Sequence, residues 1–161
     1  MRADQARFLD ALDRLPRTLC HLDLHPANLF ADGDESTVAI DWSFAGIAAL
    51  GEDAGNLVPD SLLDFHVDPA RIDELYELVA RGYEAGLRDV GWDGPPSLVR
   101  LGMAATIAAK YSWIAPAILR AATENRELLN RRPIAETLHW WAPAVPFLID
   151  RADEARELAR T

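Results

Sequence analysis

A single cysteine, Cys20, stands in the 161 residues. One thiol cannot close a disulfide within the chain, and it excludes a zinc site built from several thiolates. It fits a reducing compartment. Basic charge is scarce: 16 Lys and Arg face 26 Asp and Glu, a formal net charge of −10. That balance argues against nucleic acid and against a membrane as partners, because phosphates and anionic lipids both call for cationic groups. It suits a cationic partner, or solubility alone. Long apolar runs are missing too. The longest stretch without Asp, Glu, Lys or Arg, from Thr137 to Ile149, is shorter than the ~18–20 residues that span a bilayer, and Pro143 and Pro146 interrupt it. Met1 to Gln5 are charged and lead into no apolar segment of signal-peptide type. The expectation is a soluble, cytoplasmic protein.

Apolar residues are not scarce. They make up 50% of the chain, ample for a core and too many for a disordered segment. The length suits one domain at ~100–200 residues per domain. Neither an internal repeat nor a low-complexity tract is present.

Hydrophobic spacing predicts a helix over residues 4–15, with Phe8, Leu9, Leu12 and Leu15 on one face and Pro16 as its stop. Leu19 to Asn28 mixes polar and apolar residues around Pro26 and reads as a structured loop. Leu29–Ala31 and Thr37–Ile40 are short strand candidates. Asp32-Gly33-Asp34-Glu35-Ser36 between them has turn chemistry, so this pair is the one convincing hairpin. Beyond it the pattern is helical. A helix is expected within Glu52 to Phe65, with Pro59 near a break. Asp68-Pro69 starts another, carried by Ile72, Leu75, Val79, Tyr83 and Leu87 and ended by Gly91. Gly94 to Ser97 is a linker. Leu98 to Ala122 is apolar almost all round, as in a buried central helix, with a kink at Pro116. Pro133 opens a further segment, and residues 149–160 form a charged amphipathic tail. The expected architecture is mainly α (α+β): about five helices and one hairpin.

The chemistry gathers at that hairpin. Asp23 and Asn28 lie five apart in the loop that feeds it, and Asp41 leaves its far strand. A hairpin returns the chain to its start, so Asp41 should come back near Asn28. Two carboxylates and an amide carbonyl then share a small volume. These oxygen donors suit a hard cation such as Mg²⁺. Phosphoryl transfer needs such a cation on the phosphates, and a carboxylate that orients the attacking hydroxyl and takes its proton.

His21-Leu22-Asp23-Leu24-His25-Pro26-Ala27-Asn28, followed by Ile40-Asp41-Trp42 and Ala45-Gly46, resembles the catalytic loop and metal site of the aminoglycoside phosphotransferase and choline kinase group. The resemblance covers residues 17–58 closely. It implies one domain over 1–161 similar to the C-terminal lobe of a protein-kinase-like fold: catalytic loop and metal-bearing hairpin at 17–58, helical substrate-side subdomain at 59–161. It implies an ATP- and Mg²⁺-dependent kinase that phosphorylates a hydroxyl of a small, possibly cationic molecule. Asp23 would be the catalytic base. Asn28 and Asp41 would hold Mg²⁺ and, through it, the nucleotide. His21 and His25 would be architecture of the loop.

Three positions depart from the family pattern. Leu22 replaces a glycine, Ser43 stands where an acid is frequent, and Asn56 stands where an Asp braces the catalytic loop. The resemblance also implies an N-terminal nucleotide lobe with a Gly-rich loop and a strand lysine. Here no glycine precedes Gly33 and no lysine precedes Lys110. The expectation is a C-terminal lobe alone, impaired in isolation, with the other lobe on another chain, or with self-association through exposed apolar surface. A non-catalytic binding or regulatory remnant of such a kinase is the alternative. A zinc hydrolase built on His21, Asp23 and His25 is a weaker one, since His66 and His139 lie far along the chain.

Other features have two readings. Glu52, Asp53, Asp60, Asp64, Asp68, Asp73 and Glu74 face only Arg71. They form either a solvated helix face with caps, or a rim for an amine, with Glu52, Asp53 and Asp60 as the substrate-side candidates. Lys110 snorkels to the surface or reaches a site carboxylate. Trp113, Trp140 and Trp141 pack in a core or stack on a substrate. Cys20 reads as a buried, inert thiol.

Overall fold

The computed structural model describes residues 2–33, 36–124 and 132–160. Asp34 and Glu35 of the expected turn lie outside them. The elements run α1 (Arg2–Asp13), β1 (Arg17–Cys20), β2 (Leu29–Asp32), β3 (Ser36–Ala39), β4 (Gly46–Ala49), α2 (Glu52–Leu63), α3 (Ile72–Asp89), α4 (Pro96–Lys110), α5 (Ile114–Glu124), α6 (Ile134–Trp141) and α7 (Ala144–Leu158). Short 3₁₀ turns sit at Pro26–Asn28, Trp42–Phe44 and Pro69–Arg71. The chain is mainly helical, as expected, with seven α-helices among the described residues where five were anticipated.

The helical body is built around α4, which packs against α7, α1 and α2. Its small residues set these distances. A Cβ on Gly102 would lie 1.8 Å from the Leu50 carbonyl oxygen, so only glycine admits that crossing. Ala104, Ala105, Ala108 and Ala109 take α1 against the same helix, with Phe8, Leu12 and Leu15 in the joint. On the other side Val58, Leu62, Tyr76, Val99, Met103 and Ile107 close the main core. No helix among the described residues is long and apolar enough to cross a membrane.

Two expectations are corrected. The apolar stretch from Leu98 to Ala122 is two helices rather than one kinked one: α4 ends at Lys110 and α5 begins at Ile114. Pro116 then falls in the first turn of α5, where its missing N–H costs no hydrogen bond. Pro59, by contrast, sits inside α2 without ending it.

The second correction concerns the sheet. The expected hairpin forms, with Leu29 opposite Ala39 and Phe30 opposite Val38. A second antiparallel ribbon joins β1 to β4, with Leu19 opposite Ile47 and Cys20 opposite Gly46. The start of the anticipated loop is therefore a strand. The outer ribbon brackets the inner one, so the segment from His21 to Ala45 is tied at both ends.

Candidate active site

Cys20 ends β1 with its thiol buried; burial, then the charge of Asp53, pushes it up to about 11. That thiol is not a nucleophile at neutral pH, in agreement with the inert reading. The next residue, His21, is 2% exposed and its ring lies against Trp42, centroids 4.7 Å apart. Its Nε2 is 2.7 Å from the Ile40 carbonyl oxygen. A carbonyl only accepts, so the proton is on Nε2. Ile40 is gripped on its other side as well, its N–H donating to the Asn28 carbonyl at 3.0 Å. The loop and the hairpin are thus locked together at the residue before Asp41.

Asn28 is buried, and its Nδ2 donates to the Asp23 carbonyl at 3.0 Å and to Asp23 Oδ2 at 3.3 Å. With the amide nitrogen so used, Oδ1 is the group left to accept or ligate. Asp41 is exposed, in the left-handed region at φ 61° and ψ 58°, and Ser43 Oγ donates to its Oδ1 at 2.7 Å. Asp23 and Asn28 touch directly. Asp41 follows Ile40, whose backbone bonds to Asn28.

Leu22 adopts φ 64°, the left-handed conformation that suits the glycine of the family pattern. Its Cδ1 packs where a Cβ on Gly46 would crowd it at 3.3 Å. The substitution therefore keeps the loop path.

Two of the three acidic residues expected beside the substrate have other partners. The Asp53 carboxylate accepts the His21 N–H at 2.6 Å and the Leu22 N–H at 2.8 Å. It braces the His21–Asn28 loop, a role the sequence pattern placed at Asn56. Asn56 lies one turn further along α2, buried, with Oδ1 lacking a hydrogen-bond partner. Glu52 pairs with Lys110 at 2.9 Å and accepts the Ala49 N–H at 3.1 Å. Lys110 accordingly reaches a carboxylate and not only solvent. Asp60 is the one whose surroundings include the charge of Asp23. Burial pushes its carboxyl up to about 6, the Tyr111 hydroxyl pulls it down, and Asp64, His25 and Asp23 are the charges it senses.

Tyr111 is the neighbour that sequence reasoning missed. Tyr111 is buried, donates to the Asn56 carbonyl at 3.2 Å, and has its phenol held far above the usual range by burial and Asp60. No sequence signal marks it. Asp64, read among the acids of a possible rim, caps the end of α2 and stands 4.0 Å from His25 Nδ1. Of the tryptophans, Trp141 is core, its Nε1 donating to the Leu63 carbonyl at 3.2 Å. Trp140 stands 5.2 Å from Phe65, and Trp113 meets Trp141 edge-on at 6.0 Å.

No group of three or more His, Cys, Asp and Glu among the described residues could hold a metal ion. A zinc centre on the histidines finds no support, and His21 is already bonded to a carbonyl. Asn28 and Asp41 offer two oxygen donors. That suits Mg²⁺, which takes one or two protein ligands and completes its shell from phosphates and water.

The family model described as "Phosphotransferase enzyme family" matches residues 2–94, more than half of the chain. No curated protein and no solved structure matches it. The match takes in the loop, both ribbons, α2 and α3, so the chain belongs to the phosphotransferase enzyme family.

Proposed function

We propose that this chain carries the catalytic loop of an ATP-dependent kinase that phosphorylates a hydroxyl of a small molecule. The observation that carries the reading is the lock at Ile40. His21 and Asn28 each hydrogen-bond the backbone of Ile40, the residue before Asp41, which supports a reading in which Asp23, Asn28 and Asp41 act together. Asn28 and Asp41 would hold Mg²⁺, which supplies charge neutralisation on the nucleotide phosphates. Asp23 orients the substrate hydroxyl and accepts its proton. Asn28 approaches one carboxylate oxygen of Asp23, Oδ2, which leaves the other to meet the hydroxyl. Holding the hydroxyl in line is worth more than basicity here, because phosphoryl transfer depends chiefly on positioning and electrostatics.

Asp60, which senses the charges of both Asp64 and Asp23, supports a cationic substrate, an amine-bearing alcohol. The ribbons support a partner lobe. The opposed pairs Leu19 with Ile47 and Phe30 with Val38 are exposed on both members, and Trp42 and Phe44, in the turn between β3 and β4, are exposed as well. A surface of that kind is built to be covered.

The test is transfer of the γ-phosphoryl group from ATP to a panel of hydroxylated amines by the purified chain with Mg²⁺. The expected result is slow turnover that disappears in Asp23→Ala while the thermal melt is kept, and nucleotide binding that Mg²⁺ promotes and Asp41→Ala abolishes. Turnover that survives Asp23→Ala overturns the assignment. Robust turnover by the chain alone overturns the need for a partner lobe.

A further inference from the structure

Three non-glycine residues among those described hold φ in the left-handed region: Leu22 at 64°, Asp41 at 61° and Phe65 at 65°. Leu22 precedes Asp23, and Asp41 belongs to the site. Phe65 lies elsewhere in sequence, immediately after Asp64 at the end of α2. There the His66 N–H donates to the Ser61 carbonyl at 2.9 Å and the Phe65 N–H to the Leu62 carbonyl at 3.0 Å. This is the helix-terminating pattern whose left-handed position is normally glycine. A side chain there costs roughly 1–2 kcal/mol. The Phe65 ring offsets the cost by packing 5.2 Å from Trp140 and 4.0 Å beneath the Arg132 guanidinium. Strain held in place by its surroundings collects at functional sites, and here it fixes the backbone that carries Asp64.

His25 connects that helix end to the loop. Its Nε2 lies 3.9 Å from Asp23 Oδ2, and its Nδ1 lies 4.0 Å from Asp64 Oδ2. Nδ1 is buried without a hydrogen-bond partner. The Asp64 carboxylate stands beside this buried nitrogen at ion-pair distance, longer than a hydrogen bond. The His25 backbone is fixed as well, its carbonyl accepting the Asn28 N–H at 2.9 Å. The ring cannot drift from the loop, and α2 sets where its far side goes. Asn28 Nδ2 approaches the same Oδ2 of Asp23 at 3.3 Å, so two groups from opposite sides of the loop converge on one oxygen.

We propose that His25 and Asp64 are positioning residues for Asp23: the imidazole, anchored by the end of α2, holds the Asp23 side chain in the one rotamer that meets the substrate hydroxyl. The positioning itself needs no phosphotransfer. Its kinetic consequence rests on the proposed function.

The test has two arms. In the first, NMR couplings to the Asp23 carboxyl carbon read its χ1 in the purified chain. Wild type should show a single rotamer. His25→Ala and Asp64→Ala should each show averaging, and Asp64→Asn should keep the single rotamer because a side chain of the same shape still stands beside Nδ1. Asp64 is exposed, so its variants keep the fold even if His25→Ala does not. In the second arm, His25→Ala should lower kcat by about 10–100-fold, with KM for both substrates moved less than about twofold, and His25→Gln should recover part of the loss. A single Asp23 rotamer in both alanine variants overturns the proposal, as does a loss that falls on KM alone. If wild type transfers no phosphoryl group while the couplings respond as stated, the failure lies in the assigned reaction and the positioning stands.

Discussion

The ribbons and the helical body treat apolar side chains in opposite ways. Leu19 and Ile47 face each other across the outer ribbon at 65% and 64% exposure, whereas Val58, Val99, Met103 and Ile107 in the body are fully buried. The body is held by close crossing of small residues. The ribbons are held by backbone and side-chain hydrogen bonds that converge on His21 and Ile40. The helices therefore hold the buried core, while the ribbons supply geometry and leave apolar side chains exposed. Site positions tolerate left-handed backbone at Leu22 and Asp41 because the hydrogen bonds around them leave no alternative path.

Changes in the body should cost the most. Gly102→Ala places a methyl 1.8 Å from the Leu50 carbonyl oxygen, a backbone atom that cannot swing aside. Urea denaturation should show a loss of ~3 kcal/mol or more, the upper range for overpacking. A loss below 1 kcal/mol would mean that the crossing is looser than described.

Removing the brace should weaken the ribbons without breaking the body. Asp53→Ala leaves the His21 and Leu22 N–H groups without their acceptors. The expected cost is about 1–3 kcal/mol. Hydrogen exchange should accelerate at residues 21 and 22 while the α4 amides keep their protection. Asn56→Ala should not reproduce this pattern, since Asn56 does not bond the loop.

Asp60 sharpens the contrast through pH. Burial raises its carboxyl from 3.8 to about 6, so the folded chain binds that proton more tightly than the unfolded chain. Its contribution to stability is complete below pH 3.8 and is lost as pH rises through about 6. Asp60→Asn should remove this slope and gain roughly 1–3 kcal/mol at pH 7 in denaturant midpoints read across pH 4–8. The same slope in the variant would place the responsible group elsewhere.

The smallest effect belongs to the exposed ribbon pairs. Leu19→Ser with Ile47→Thr should shift stability by less than ~0.5 kcal/mol per site. It should nevertheless reduce any self-association or capture of a nucleotide lobe, as read by sedentation-velocity ultracentrifugation. A large stability loss would show that this face packs within the chain.

Much of this was legible because the signals were local. The hairpin at Leu29–Ala39 announces itself through turn residues between two apolar segments, and the loop from His21 to Asn28 through the types and spacing of its polar groups. The outer ribbon was not legible. Arg17–Cys20 and Gly46–Ala49 are four residues each, small or mixed, and pair across the whole site, so no periodicity links them. The division between α4 and α5 was hidden because both halves are apolar, and Pro116 reads equally as a kink or as a first-turn residue. Asp53 takes the bracing role expected of Asn56 for a similar reason. Both lie on one face of α2, and a motif fixes the face more firmly than the turn of helix that meets the loop.

We propose one unit, in which Asn28 and Asp41 share a cation beside Asp23. Paramagnetic line broadening tests it most directly, with Mn²⁺ and ATP added to the isotope-labelled chain. The predicted result is broadening that begins at Asn28 and Asp41, spreads to Asp23, and is lost in Asp41→Ala. Broadening centred on the acidic start of α3, around Asp73 and Glu74, with the loop signals untouched, would contradict it.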